Sequence, residues 1–173
     1  MDVRVDRTRA ALEQSFNEIF LLEGYDKTTP GRIAEAAQVG RSTFYEHFDG
    51  RDDLLEKRLL QVLLPLADAT TCEAVSSELE ALLDHFWANR VIVRAVLGGR
   101  ARNVTMRTLT RMIEDRIRVR LKGSTVPHRL IAAQIAGGHL ALLEEWLSGR
   151  HRCSSVSLAP AIVACAAATV MPR

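Results

Sequence analysis

Apolar residues return every three to four positions along nearly the whole chain, and no segment alternates clearly enough between apolar and polar to make a strand. A chain with that period can bury its apolar faces only by packing helix on helix. In DRTRAALEQSFNEIFLLEGY, Leu12, Phe16, Ile19 and Phe20 share one helical face and Gly24 supplies the stop. Thr29 before Pro30 is the cap and first-turn pair that starts a helix, and Ile33, Ala34 and Ala37 give it a short apolar face. After a break at 38–40, residues 41–47 make a third helix. A fourth, starting at Asp49 or Gly50, carries Leu54, Leu55, Leu59, Val62 and Leu63 and ends or kinks at Pro65. Longer amphipathic segments follow at 73–89, 91–98, 103–122, 127–148 and 157–170. The expectation is an all-α chain of about nine helices. A small N-terminal unit, 1–50, with the dimensions of a helix-turn-helix, precedes a larger helical unit, 51–173, and helix four (51–65) connects them.

Composition excludes several classes. A hydrophobic fraction of 47% and a charged fraction of 25% are those of an ordinary soluble globular protein. The longest apolar runs are broken by Gln134 and His139 and by Ser157 and Pro160, so no membrane partner is expected. The N-terminus alternates charges and lacks the apolar stretch of a signal peptide, and Cys72, Cys153 and Cys165 stand far apart. A cytoplasmic protein with reduced thiols is expected. His128, His151, Glu144 and Glu145 show no metal-holding spacing, and neither a catalytic constellation nor a phosphate-binding glycine loop is present. We therefore expect no enzyme, no cofactor and no metal. Net charge is only +2, and residues 1–50 hold Arg4, Arg7, Arg9, Lys27, Arg32 and Arg41 against nine acids, so any nucleic-acid surface must be a local patch.

The stretch VGRSTFYEHF, residues 39–48, concentrates three of the chain's nine aromatics. On a helix, Phe44 and Phe48 point inward together, Arg41 and His47 lie at the two edges, and Ser42, Thr43, Tyr45 and Glu46 turn outward. The two phenylalanines answer a packing demand. The outward donors suit phosphates and base edges in a major groove. Arg51 opens helix four although a helix dipole favours acids there, so stability does not call for it and a phosphate partner would explain it. Taken singly, His47 reads as a structural histidine, Arg51 as a solvated charge and Tyr45 as a rim residue.

Their shared register is more specific. GYDKTTPGRIAEAAQVGRSTFYEHFDGRDDLLEKRL resembles the DNA-binding segment of the TetR family of transcriptional regulators, through Gly24, Tyr25, Thr28, Thr29, Ile33, Ala34, Ala37, Val39, Tyr45, His47, Phe48 and Arg51. The likeness covers about residues 10–60. It implies that Tyr45 and His47 meet DNA phosphates, Arg51 a phosphate at the start of helix four, and Thr29 the backbone before helix two. Arg41, Ser42 and Thr43 become base readers, and Arg32 and Gln38 flanking contacts. Gln38 stands where the family usually has a turn glycine, and Gly40 replaces the usual Ser or Thr cap.

In the larger unit, Leu83, Phe86, Trp87, Met106, Leu109 and His139 could enclose a mostly apolar cavity for a small-molecule effector. Residues 100–122 carry eight basic side chains, and the i, i+4 pairs Arg111 with Asp115 and Glu114 with Arg118 suggest a solvated face. Arg107 turned inward to a ligand carboxylate is the alternative. Ala132, Ala133, Ala136, Gly137 and Ala141, with Ala161, Ala164 and Ala168, suggest a homodimer built from the last two helices, as the resemblance also implies. The expected function is a repressor released from a double-stranded DNA operator by its ligand. The other reading is a helical protein-interaction or ligand-sequestering module without operator binding.

Overall fold

Gly24 ends the first helix by turning left-handed, with φ of 82°, a conformation cheap only for glycine. In the computed structural model, which describes residues 3–72 and 74–170, α1 spans Val3–Glu23 and the chain reverses through a 3-10 turn at Tyr25–Lys27. The first residue of the segment expected at 73–89 lies outside the described residues, as do 1–2 and 171–173. Thr29 caps α2, Pro30–Ala36, by accepting the Arg32 N–H at 3.5 Å. α3 is Arg41–His47, with Gly40 at its N-cap.

The remaining helices are α4 (Arg51–Val62), α5 (Leu64–Asp68), α6 (Ser77–Ala88), α7 (Arg90–Leu97), α8 (Ala101–Ile117), α9 (His128–Leu147) and α10 (Ser155–Val170). Among the described residues there are thus ten α-helices, one more than expected. Pro65 does not end a helix running from 51. It sits in the first turn of α5, where its missing N–H is harmless. The helix expected to reach residue 122 stops at Ile117, its last fully buried residue.

The N-terminal unit closes on an aromatic cluster. Phe16 stacks on Phe20 with ring centres 5.8 Å apart, and Tyr25 meets both edge-on. Phe44 of α3 and Phe48 at its C-cap are buried side by side, their rings 5.7 Å apart. In the larger unit α8 is the central helix, packed against α4, α5, α7 and α9. Arg102 near its start pairs with Glu144 near the end of α9, and Glu114 near its end pairs with Arg129, so α8 and α9 run antiparallel.

The basic face of α8 does not pair along its own helix as expected. Glu114 receives Arg129 at 3.1 Å rather than Arg118, and Arg118 turns to Asp115. Arg111 reaches Glu56 of α4, Arg107 lies 3.7 Å from Asp52, and Arg116 lies 2.5 Å from Asp68. Just before α8, Arg100 stands 3.5 Å from Asp26. Asp52 and Glu56 are one turn apart on α4, as Arg107 and Arg111 are on α8, so packing the two helices aligns acid with base. Arg107 is thereby turned to the helix-four junction and not inward.

Candidate nucleic-acid interface

α3 is short, and its outer face is presented by what lies beneath it. Phe44 and Phe48 are 0% and 1% exposed, which fixes the rotation of the helix. Arg41, Ser42 and Tyr45 are exposed, while Thr43 and His47 are half-buried at the edges. Among the described residues no side-chain hydrogen bond engages Ser42, Thr43, Tyr45 or His47. The Arg41 guanidinium lies 5.9 Å over the Tyr45 ring, near the limit of a cation–π contact. This is a ridge of donors and acceptors on a rigid base, open to a partner.

The turn before α3 holds that ridge in place. Gln38 adopts φ of 57°, the left-handed region in which an L-residue is strained by about 1–2 kcal/mol. Its neighbour Val39 donates its N–H to the Ala34 carbonyl at 3.0 Å. The turn therefore keeps the shape a glycine would give it, with Gln38 exposed beside α3.

Arg51 has a structural task the sequence did not reveal. Its Nη1 donates to the Tyr25 and Asp26 carbonyls at 3.0 and 3.2 Å, and its guanidinium lies 4.6 Å over the Tyr25 ring. Stability does call for Arg51: it ties α4 to the turn after α1. Beside it Tyr25 donates its hydroxyl proton to Asp52 at 2.6 Å, and burial together with that bond pushes the phenol well above its ordinary pKa. Arg32 lies with both terminal nitrogens on the Glu23 carboxylate, an ion pair that lowers the pKa of Glu23 and raises that of Arg32. Thr29 remains exposed at its cap.

Two cations passed over in the sequence bracket the far end of α3. Lys57 donates to the His47 carbonyl at 3.2 Å and to Asp53 at 2.8 Å, and lies 5.1 Å over Phe48. Arg9 of α1 lies 5.8 Å over the same ring. The i, i+4 spacing of Asp53 and Lys57 was visible, but the approach of α1 and α4 to α3 was not.

The six residues expected to enclose a ligand are not brought together. Leu83 and Leu109 are fully buried in the core, Trp87 lies tilted against Trp146 with ring centres 5.1 Å apart, and Met106 packs beside Gly137. His139 is 3% exposed, with no hydrogen-bond partner for its Nε2 among the described residues, and burial lowers its pKa to about 4. Only Phe86 borders the cavity of about 280 Å³ that opens between α1, α4, α6 and α7.

A helix-turn-helix whose outer face makes no side-chain hydrogen bond among the described residues, joined to a larger helical body, is the form on which DNA-binding regulators are built. Residues 17–57 match the family model described as bacterial regulatory proteins, tetR family. The HTH-type transcriptional regulator TcmR of Streptomyces glaucescens is 39% identical over 51 residues. That stretch covers 30% of this chain and only 23% of the relative's length. A TetR transcriptional regulator from Streptococcus agalactiae 2603V has a similar fold, with a TM-score of 0.59 at 21% identity over 94% of this chain and 95% of that one. NalD, the secondary repressor of the MexAB-OprM multidrug efflux pump in Pseudomonas aeruginosa, aligns with a TM-score of 0.55 at 23% identity over 98% of both chains. The family match is confined to residues 17–57, and beyond that segment the likeness is one of fold. No helix among its described residues is long and apolar enough to cross a membrane.

Proposed function

We propose that the protein is a cytoplasmic, non-enzymatic transcriptional repressor that binds its operator as a homodimer and is released by a small-molecule effector. Residues 1–50 form the DNA-binding domain and 51–173 the effector and dimerisation domain. The observation that carries this reading is the ridge on α3, whose side chains make no hydrogen bond among the described residues while Phe44 and Phe48 hold them rigidly outward. Arg41, Ser42 and Thr43 read base edges, and Tyr45 and His47 meet phosphates. Nη1 of Arg51 is held by two carbonyls and its Nε lies 3.6 Å from Asp52, which leaves Nη2, among the described residues, to serve a phosphate at the start of α4. Thr29 and Gln38 flank the contact, and Arg32 joins them by leaving Glu23.

The dimer surface is narrower than the sequence suggested, because Ala132 and Ala136 are 0% exposed inside their own core. Gly138 and Ala141 of α9 and Ala161, Ala164 and Ala168 of α10 are exposed, a face of small residues that lets two helices approach closely. Release works through α4, which begins at Arg51 and is tied along its length to α8. An effector that shifts α8 or α4 changes the tilt of the DNA-binding unit.

Sequencing genomic fragments retained by the purified protein tests the reading. A discrete operator is expected, with Arg41→Ala losing about 1–3 kcal/mol of preference for it over unrelated DNA. Equal binding by a folded variant carrying Arg41→Ala, Tyr45→Ala and His47→Ala would refute the site. Retention of no fragment would favour the interaction or ligand-sequestering module.

A further inference from the structure

The cavity between α1, α4, α6 and α7 lies on the seam between the N-terminal unit and the larger body, with Thr105 of α8 also in its lining. We propose that it binds a small carboxylic acid with a hydrophobic body, one per chain. As the identity of the regulator's effector this rests on the function proposed above, but as a binding site it stands alone.

Phe16 and Phe20 of α1, Leu59 of α4, Phe86 of α6, and Val93 and Val96 of α7 make the apolar walls. The void of about 280 Å³ is roughly twice the apolar cavity that accepts benzene, which suits two fused rings or a chain of about eight carbons. Its polar groups are few. Arg58 of α4 has one long contact, 3.4 Å to Glu13 of α1, which leaves most of its donors available. Asn17 stands one turn beyond Glu13 on the same face of α1. At the C-cap of α6, Asn89 donates to the His85 carbonyl at 2.9 Å and approaches His85 Nδ1 at 3.3 Å. With Nδ1 accepting, His85 carries its proton on Nε2 and is a donor.

The lining therefore offers a guanidinium and surplus donors, and no carboxylate stands among the residues that form it. That balance suits an anionic head. A single cation among apolar walls fits a monoanion, whereas a phosphate would need several. A neutral hydrocarbon would leave the donors without partners. A ligand here touches α1 and α4 on one side and α6 and α7 on the other, so its occupancy bears directly on how the N-terminal unit is held.

Calorimetry on the full chain, with 2-naphthoate, 4-phenylbutanoate and octanoate as probes and 2-naphthamide as neutral control, tests the assignment. At least one carboxylate is expected to bind one per chain, and Arg58→Met to weaken it by about tenfold or more while leaving the amide unchanged. Val62→Trp, a change at the exposed rim that the fold tolerates, should weaken acid and amide alike. Hydrogen exchange should slow in residues 16–21 and 92–97 of the complex. Thermal melts establish that both variants are folded. The proposal is overturned if no acid binds at millimolar concentration, if both folded variants bind like the parent, or if protection falls elsewhere. A chain that retains an operator but binds no acid loses only this assignment. One that binds the acid but no operator loses only the regulatory reading.

Discussion

Arg51, proposed above as a phosphate contact, also has a structural task that the sequence did not show. A cation at a helix start looks wasteful until its guanidinium is seen on two carbonyls and an aromatic face. Arg51→Ala is expected to cost about 1–3 kcal/mol of stability in urea unfolding, because two carbonyls lose a charged donor. An unchanged midpoint would return Arg51 to a purely DNA-facing role. His139 is the residue with the clearest pH signature. Its pKa falls from 6.5 to about 4 on folding, so below pH 6.5 the unfolded chain takes up a proton that the folded chain refuses. Stability should therefore fall as pH drops from about 6.5 towards 4, by up to roughly 3 kcal/mol, and be insensitive to this group above that window. Urea midpoints measured from neutral to acid pH should show His139→Leu losing less stability than the parent by that amount.

Between helices, the ion pairs joining α8 to α4 and α5 form the mechanical link from body to N-terminal unit. Arg111 is half exposed and Glu56 about a third, so Arg111→Ala and Glu56→Ala in a double-mutant cycle should couple by less than about 1 kcal/mol, and less again at high salt. Coupling that persists unscreened would mean that the pair is buried in solution. Weak single pairs are consistent with the shift that the proposed release requires: the apolar contact of α4 with α8 would hold the joint while the charges set its register. The caps that place these elements were legible. Gly24, Thr29 and Pro30 act within a few residues of themselves, and their effect does not depend on what the rest of the chain does. The interruption expected at Pro65 falls at Leu63, so that Pro65 sits in the first turn of α5.

For the whole molecule, the exposed small-residue face of α9 and α10 should close against a second copy. Native mass spectrometry at micromolar concentration should find a dimer, and Ala164→Arg, on an exposed position, a folded monomer. That monomer should also lose operator affinity, since two recognition helices must meet half-sites about 34 Å apart. A parent protein that is monomeric would remove the two-fold arrangement.

The helical class, the N-terminal helix-turn-helix and the outward residues of α3 were readable from the chain, because period and capping are local and the register of Phe44 with Phe48 orients everything between them. Gln38 was recognised as the odd residue of the turn; that it takes the left-handed conformation itself came from the structure. The cavity was not readable. Leu83, Phe86, Trp87, Met106, Leu109 and His139 have the composition of a pocket, yet five of them go elsewhere, because a void forms where faces of different helices fail to meet. That mismatch belongs to the packing of α1 and α4 against α6 and α7, segments up to about eighty residues apart, and no residue carries it alone.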